Sequence, residues 1–240
     1  MTTFVRNLLY RQVKDHILGE LAAGHWKAGE MLPSEKLFAE QLGVSQGTVR
    51  KAIQELVEEN VLYREQGRGT FVQSFLASGY CNSFHRFTNE ATGTIVPFTM
   101  RLVRFERVPA MRADRPARVL GLPSDGELFH ALRVFSWEGK DIGISELWLD
   151  TKRFAKLTAE NLAHHQGSLY QFYERDLGVT IVSVDDRWRA KVFTPALASL
   201  GQFMTGAPYI ELTRVGKTFG GVPVEYRLSY CTTEDFYVRM

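Results

Sequence analysis

The 240-residue sequence predicts an α+β protein that is built from two units of different architecture. Three observations lead to this prediction. Apolar residues in the first 60 positions recur at three- and four-residue spacing, which is typical of amphipathic helices. Two β-prone runs that flank Gln66-Gly67-Arg68-Gly69 indicate a hairpin. From Phe98 onward, strand-like runs alternate with helical ones in an order that favours a mostly antiparallel sheet over parallel βαβ units.

The composition is that of an ordinary globular protein. Hydrophobic residues make up 45% of the chain and charged residues 23%, and the formal net charge of +2 indicates no particular partner. No apolar stretch approaches ~18 residues, and the N-terminus carries charges throughout, so we expect neither a membrane span nor a signal peptide. Cys81 and Cys231 are too few for a disulfide framework. We therefore expect a cytoplasmic protein with reduced thiols.

Three helices are predicted in the first 60 residues. The first covers residues 7–23. The second begins after Ser34, which is a good N-cap, and is stopped by Gly43. Ser45 is the next N-cap, and the third helix runs from there to about Asn60.

The remaining elements are mostly strands. Strands are predicted at about residues 61–64, 70–73, 99–108, 128–137, 142–149, 179–190, 210–219 and 222–231, and further helices at about 113–120, 169–175 and 195–203. Gly220-Gly221 indicates a two-residue hairpin loop. We expect a first domain over residues 1–75, a linker over residues 76–92 and a second domain over residues 93–240.

The third predicted helix has an apolar and a polar face. On a helical wheel, one arc holds Val49, Ala52, Ile53 and Leu56, and the other holds Gln46, Gly47, Arg50, Lys51 and Gln54. The polar arc carries two cations, although residues 1–75 contain nine basic and nine acidic residues. This sorting suits a helix in the DNA major groove, where a glycine lets the backbone approach closely. Taken alone, a polar face is also compatible with a solvated helix.

Residues 32–72, LPSEKLFAEQLGVSQGTVRKAIQELVEENVLYREQGRGTFV, resemble the winged helix-turn-helix of the GntR family of bacterial transcription regulators. The similarity covers the Leu-Pro-Ser-Glu start, the Val-Ser-x-x-Thr-Val-Arg turn and the Gln-Gly-x-Gly-Thr-Phe-Val wing. It implies an inverted-repeat operator and DNA contacts at Lys36, Ser45, Gln46, Gly47, Thr48, Arg50, Gln66, Gly67 and Arg68. Members often have arginine where this sequence has Gln46, so the base preference there stays open.

Residues 93–240 resemble the ligand-sensing UTRA domain of the HutC subgroup, which shares its fold with chorismate lyase. The similarity lies in LGLPSDGELFHALRVF, GISELWLD, GSLYQFYERDLGV and GGVPVEYRLSY. It implies an antiparallel sheet with helices, a small-molecule pocket and dimerisation through this domain. The implied pocket residues are Arg133, Glu146, Ser168, Tyr170 and Glu225. Arginine binds anions bidentately, and carboxylates and hydroxyls recognise hydroxyl or amine groups.

The chemistry of the ligand stays open at this level. Members that sense sugar phosphates tend to carry a second arginine where this sequence has Phe135, so a carboxylate metabolite is at least as compatible as a phosphorylated sugar. Arg86 is a candidate for the missing charge, or else a surface residue of the linker. The other candidates have structural alternatives as well: Glu146 and Glu225 as exposed strand positions, Tyr170 as a core residue and Ser168 as a helix cap.

The expected function is that of a homodimeric repressor that binds a palindromic operator in double-stranded DNA and is released by a small anionic effector. An activator with the same parts and a lyase-like enzyme fused to a DNA anchor are the alternatives. Against an enzyme, His164 and His165 are adjacent and lack metal-ligand spacing, and neither cysteine lies in a CxxC pair. We expect no cofactor, no metal and no membrane partner.

Overall fold

A computed structural model describes residues 3–74, 87–165, 167–232 and 236–238 of the protein. The described helices are α1 (Thr3–Ala22), α2 (Glu35–Leu42), α3 (Gln46–Glu58), α4 (Asp114–Val119), α5 (Ala159–His164), α6 (Leu169–Phe172) and α7 (Pro195–Ala198). A π-helical turn, Tyr173–Leu177, continues α6. No helix in these ranges is both long enough and apolar enough to cross a membrane.

Ten strands complete the described fold. They are β1 (Leu62–Glu65), β2 (Gly69–Val72), β3 (Phe87–Asn89), β4 (Thr99–Pro109), β5 (Glu127–Trp137), β6 (Lys140–Asp150), β7 (Ser183–Val192), β8 (Pro208–Lys217), β9 (Pro223–Thr232) and β10 (Phe236–Val238). The predicted α+β class is therefore confirmed, with three helices and the β1–β2 hairpin preceding the larger sheet.

Helices α2 and α3 begin at the predicted capping residues. Ser34 Oγ accepts a hydrogen bond from the Leu37 backbone N–H at 3.3 Å, and Ser45 Oγ accepts one from the Thr48 N–H at 3.2 Å. Gly43 ends α2 in the left-handed conformation, with φ 65°. Because side-chain oxygens satisfy N–H groups that would otherwise lack partners, both helix starts are defined and only a short turn separates the helices.

One apolar core joins the first three helices to the hairpin. The predicted apolar arc of α3 is fully buried, and it packs with residues of α1, α2, β1 and β2. Strands β1 and β2 pair antiparallel, from Leu62 opposite Val72 to Glu65 opposite Gly69. Since the apolar face of α3 is buried in this core, the exposed residues of its first turn face away from the core.

Six strands form one antiparallel sheet in the order β4-β5-β6-β9-β8-β7. Helices α5 and α6 pack on one face, whereas α4 and α7 pack on the other. Directly opposed residues of antiparallel neighbours share a face. Arg133, Ser145 and Ser229 therefore form one row across β5, β6 and β9, on the face that α6 covers.

The sequence prediction differs from the structure at several places in the second unit, including the helix predicted at 195–203, of which only Pro195–Ala198 is helical. The hairpin at Gly220-Gly221 is present, but β8 and β9 pair up to Lys217 and Pro223, so the predicted two-residue loop is wrong and the connection is longer. Strand β7 begins at Ser183 because Val179 and Ile181, although β-prone, pack into the core beneath α6. Helix α5 was not predicted, although a capping box between Thr158 and Asn161 marks its start.

Part of the predicted linker, residues 76–92, forms a strand. Strand β3 pairs antiparallel with β10 near the C-terminus, with Phe236 opposite Asn89. Local periodicity cannot reveal this pairing, because the partner strand lies at the other end of the chain. Thr88 also forms a bridge with Ile95.

We predict that Cys231 reports on the integrity of the sheet. Burial raises the pKa of its thiol to about 12, so the reactive thiolate is scarce in the folded protein at mildly alkaline pH. In a Cys81→Ser variant, a thiol reagent should label the chain only as denaturant unfolds it, in step with the circular dichroism signal. Rapid labelling of the native variant would contradict the buried position of Cys231.

Candidate DNA interface and ligand site

The start of α2, the first turn of α3 and the hairpin line one groove. Its volume is about 590 Å³. Among the predicted DNA contacts, Lys36, Gln46, Gln66, Gly67 and Arg68 all line it. The other four, Ser45, Gly47, Thr48 and Arg50, lie on the cap and first turns of α3 beside Gln46. The structure thus brings all nine predicted positions to one surface.

Gly47 is not required by the packing of the protein itself. A Cβ atom added there would meet only Ser45 Oγ, at 3.9 Å, and the residue has no left-handed backbone conformation. A glycine within a helix is less favourable than alanine by roughly 1 kcal/mol. The absence of a side chain is therefore explained better by clearance for a partner than by the fold.

Ser45 and Thr48 are engaged with each other at the start of α3. Their hydroxyl oxygens lie 2.8 Å apart, in addition to the capping bond from the Thr48 N–H. Thr48 is only 8% exposed, so it offers little surface to a partner. Its contact with DNA stays a prediction.

Glu35 holds two arginines beside the groove. Its carboxylate accepts hydrogen bonds from Arg50 Nε at 2.8 Å and from Arg64 Nη2 at 3.0 Å. Both guanidinium groups remain exposed, and exposed ion pairs contribute little to stability, so the main effect of Glu35 is to orient them. Neither Glu35 nor Arg64 was predicted to take part in DNA binding, because α2, α3 and β1 meet only in the folded chain.

The hairpin tip has a defined shape. Gly67 and Gly69 have φ of 76° and 140°, which residues with side chains rarely adopt. Arg68 is ion-paired with Glu65, and its guanidinium lies 5.5 Å from the centroid of the Phe71 ring. The cation at the tip is thus held in place, as expected for a wing.

Lys51 is exposed on the polar arc of α3, as predicted, but it does not line the groove. Its ammonium is 4.0 Å from the centroid of the Tyr10 ring on α1, a cation–π contact. Gln54 donates a hydrogen bond to Glu58 at 3.0 Å. The partner-facing part of α3 is consequently limited to its first turns.

A second candidate site lies in the interior of the sheet unit, and we call it the arginine site. It comprises Arg133, Ser145, Tyr170, Tyr173, Glu225, Arg227 and Ser229, all buried. The Glu225 carboxylate accepts hydrogen bonds from Tyr170 OH at 2.8 Å, from Tyr173 OH at 2.9 Å and from Arg227 Nη2 at 2.8 Å. Glu225 and Tyr170, which were predicted to contact a ligand, therefore also hold each other in place.

The charges of the arginine site are set by its surroundings. Burial opposes ionisation of Glu225, but the Arg227 guanidinium and the two tyrosine hydroxyls outweigh it and lower the pKa of the carboxyl group. Burial, followed by the Glu225 charge, raises the pKa of Tyr170 and Tyr173, so both remain neutral donors. Burial and then repulsion from Arg227 lower the pKa of Arg133 to about 10. Arg133 is thus a buried cation in need of an anion.

Several polar atoms of the arginine site have no hydrogen-bond partner among the described residues. They are Arg133 Nε and Nη1, Arg227 Nε, Ser145 Oγ and Ser229 Oγ. A buried polar group without a partner costs about 1–3 kcal/mol. Donors and hydroxyls left in this state, grouped around a buried cation, are suited to binding a polar anionic ligand.

Of the remaining ligand candidates, the structure separates Glu146 from this group. Glu146 lies opposite Leu132 and Leu228, on the other face of the sheet, because side chains alternate along a strand; its carboxylate accepts a hydrogen bond from Tyr230 OH at 3.4 Å instead. Ser168 precedes α6 but makes no capping hydrogen bond. Arg86 lies outside the described residues.

Four members of the arginine site were not predicted: Ser145, Tyr173, Arg227 and Ser229. A signal for two of them was present in the sequence. Arg227 follows Glu225 by two residues on a predicted strand and therefore shares its face. Ser229 continues the same alternation. The role of Ser145 depends on the register of β5 and β6, which the sequence does not specify.

Comparison with known proteins identifies both units of the chain. Residues 9–72 match the sequence profile of the bacterial regulatory proteins of the gntR family, and residues 97–237 match that of the UTRA domain. The chain is 27% identical to the probable fructoselysine utilization operon transcriptional repressor of Escherichia coli K12, over 95% of this chain and 92% of that protein. It is 30% identical to the HTH-type transcriptional regulator SmoD of Agrobacterium fabrum, over 83% and 87%.

A solved structure shows the same fold in the second unit. It is the ligand-binding domain of a GntR-family regulator from Bordetella bronchiseptica, with a TM-score of 0.60 and 27% identity, covering 65% of this chain and 96% of that one. The two profiles confirm the winged helix-turn-helix and the UTRA domain that the resemblance implied. The chain therefore belongs to the GntR family and, with its UTRA domain, is a DNA-binding transcription regulator of the HutC type rather than an enzyme.

Proposed function

We propose that the protein is a homodimeric repressor that binds a palindromic operator through two winged helices and is released by a small anionic effector in the arginine site. The domains extend over residues 1–75 and 93–240, with residues 76–92 as the linker, whose end includes β3 and pairs with β10 of the second domain. The observation that carries the DNA-binding half is Gly47, which lies unpacked on the first turn of α3, three residues before Arg50, whose guanidinium is oriented by Glu35.

The arrangement around α3 suits major-groove binding. The exposed N-terminal turn offers backbone N–H groups to phosphate, Gln46 reaches base edges, and Arg50 binds phosphate or guanine. Arg68 on the wing would contact the adjacent backbone or minor groove. The sign of regulation is proposed from the Escherichia coli relative, which is named a repressor. Footprinting relative to the promoter would distinguish an activator.

Strand β7 is the surface that we propose for dimerisation. It is an edge strand of regular register, and nearly all its residues are exposed on both faces, including Trp188 at 37% and Val192 at 57%. The opposite edge, β4, is interrupted by a bulge near Val103, which discourages edge pairing. In β7, Asp185 and Asp186 lie near the start of the strand, and basic residues lie toward its end. Two antiparallel copies would therefore bring the acidic part of each strand beside the basic part of the other.

A contact between the domains supports effector control of DNA binding. Phe219, in the loop between β8 and β9, packs against the core formed by α1, α2 and α3. The same strand β9 carries Glu225 and Arg227 in the arginine site. A ligand that displaces β9 would therefore change how Phe219 packs against the DNA-binding domain. Such a ligand releases DNA if it binds the DNA-free state more tightly than the DNA-bound state.

We predict opposite effects of Gly47→Ala on stability and on DNA binding. The added methyl group should stabilise α3 by up to about 1 kcal/mol, because alanine favours helix and nothing in the protein obstructs it. It should weaken binding to duplexes selected from a random pool by about tenfold or more, because the backbone can no longer approach as closely. Thermal unfolding and gel-shift titration measure the two effects.

Gly19→Ala is the matched control for this test. Gly19 lies in α1, where an added Cβ would also meet nothing within 4 Å. It should raise stability in the same way without changing DNA affinity. An unchanged affinity of Gly47→Ala would remove the assignment of α3 as the recognition helix.

We also predict that Arg50→Ala weakens specific DNA binding by about 1–3 kcal/mol while the fold is retained, because Arg50 is exposed and its ion pair contributes little to stability. Fluorescence anisotropy with the selected duplex measures the loss. Arg118→Ala, which removes an exposed arginine from α4 in the other domain, is the control and should bind normally. Equal affinities of the two variants would argue against a role of Arg50.

For the dimer, we predict that replacing Trp188 and Val192 together by lysine converts the protein to a monomer, since charges on an edge strand prevent pairing. Sedimentation velocity measures the change. Val103→Lys places the same charge on the opposite edge and should leave the dimer intact. A dimeric double variant, or dissociation by Val103→Lys, would place the interface elsewhere.

A further inference from the structure

We infer that Arg227 is a ligand-contacting residue that supplies the second cation of the arginine site, and that the site selects a carboxylate monoanion over a phosphate-ester dianion. This inference rests on the proposed effector-binding function and specifies its chemistry. It concerns the second arginine of members that sense sugar phosphates, whose position is occupied by Phe135 in this chain.

Phe135 does not take part in the arginine site. It lies one row beyond Arg133 on the same face, in an apolar cluster with Val96, Ile142, Cys231 and Phe236. Its ring packs edge-on against Phe98, with 5.2 Å between the centroids. A cation at this position would therefore have to displace aromatic packing.

Arg227 reaches the site from β9 instead. In the register of the sheet it lies opposite Leu147 of β6, one row from Ser145 and Ser229, on the face that carries Arg133. Its side chain is nearly fully buried, and its guanidinium lies 5.2 Å from the centroid of the Tyr170 ring.

The guanidinium of Arg227 is only partly used by the protein. Its Nη2 donates to both oxygens of Glu225, at 2.8 Å each, whereas its Nε has no partner among the described residues. Arg133 likewise has Nε and Nη1 without partners there. A ligand group between the two arginines would satisfy donors from both, together with the neighbouring serine hydroxyls.

The count of buried charges in this region indicates the charge of the ligand. Arg214 is paired with Asp186, with Nε–Oδ1 and Nη2–Oδ2 distances of 2.7 and 2.5 Å, and Arg227 is paired with Glu225. Tyr170 and Tyr173 are neutral donors. Of the described groups, the charge of Arg133 alone is left uncompensated, so the region carries one net positive charge.

A monoanion therefore neutralises the site, whereas a dianion would leave one negative charge in a buried environment. Burial of a charge without a partner is strongly unfavourable. The free donors of the two arginines suit a carboxylate, and the two serine hydroxyls can bind a hydroxyl or amine group next to it. A hydroxycarboxylate or an amino acid-like metabolite fits this chemistry.

The selectivity is tested with two panels of probes on the full-length protein. One panel contains hydroxycarboxylates (lactate, gluconate and galacturonate), and the other contains sugar phosphates (glucose 6-phosphate and N-acetylglucosamine 6-phosphate). Thermal shift and release of the selected duplex are measured at millimolar concentrations. We expect at least one carboxylate to raise Tm saturably and release DNA, and no sugar phosphate to do so.

Each other outcome overturns the carboxylate inference in a recognisable way. If a sugar phosphate binds and releases DNA while the carboxylates do not, the proposed regulator stands and the ligand class is wrong. If neither panel shifts Tm, the selection of carboxylates by this site is rejected. If the protein does not bind DNA even without a ligand, the proposed function itself is contradicted.

The role of Arg227 is tested by an Arg227→Gln/Glu225→Gln double variant with the carboxylate that binds. The double change keeps the net charge of the site and retains polar partners for both tyrosines. Folding should therefore be preserved, and the Tm measured without ligand tests this. We expect the affinity to fall at least tenfold, because donors of Arg227 are lost although the overall charge is not. Arg227→Lys should recover part of this affinity.

A His130→Gln/Glu146→Gln variant is the matched control, because this polar pair lies on the opposite face of the sheet, with 3.9 Å between His130 Nε2 and Glu146 Oε2. It should bind the carboxylate normally. If the Arg227 double variant also binds normally, Arg227 serves only to neutralise Glu225. If instead the double variant unfolds, Arg227→Lys decides: reduced affinity with an intact fold supports the contact, because lysine keeps the charge but lacks the Nε donor, and unchanged affinity rejects it.

Discussion

The carboxylate of Glu225 joins the parts of the second domain that form the ligand site. It accepts hydrogen bonds from Tyr170 on α6, from Tyr173 on the following π turn and from Arg227 on its own strand. A carboxylate without charged or hydrogen-bonding partners would not remain ionised at this depth. The helical cover and the sheet are therefore held in one relative position by a polar interaction as well as by the apolar core. Gly216 makes room for it, since a Cβ atom there would lie 3.4 Å from Tyr170 OH and 3.2 Å from Glu225 Cβ.

This interaction leaves Arg133 as the uncompensated buried charge among the described residues of the site, and the proposed ligand binding rests on that imbalance. A site in which all charges were paired would have little reason to bind an anion. Here the fold orients Glu225 and Arg227 toward each other and keeps Arg133 without a carboxylate among the described residues. In the proposed function, an anionic ligand completes the site electrostatically, and β9 extends from there to the loop whose Phe219 packs on the DNA-binding domain.

A related arrangement is found at the DNA-binding end. Glu35 orients Arg50 and Arg64 at the surface, while capping bonds from Ser34 and Ser45 define where α2 and α3 begin. Local rules were sufficient for the caps, the apolar arc of α3 and the glycine-containing wing, because each depends on residues a few positions apart. They did not predict the contact of Lys51 with Tyr10, because this contact requires that α1 be in place.

The same distinction explains which parts of the second domain were predicted. The six long strands were recognised from their apolar runs, but β3 and β10 were not, because each depends on a partner from the other end of the chain. Residues that precede β7 looked like strand because β-branched side chains favour strands, yet they serve the core beneath α6.

By itself, then, the sequence determined the winged helix-turn-helix and the UTRA domain, the starts of α2 and α3 and the apolar arc of α3. Only the tertiary structure decided which polar residues share the ligand site. Strand register set Ser145 and Ser229 beside Arg133 and moved Glu146 to the opposite face. The physical reason is that side chains alternate along a strand, so a shift of one residue in pairing exchanges the two faces, and pairing partners are distant in sequence.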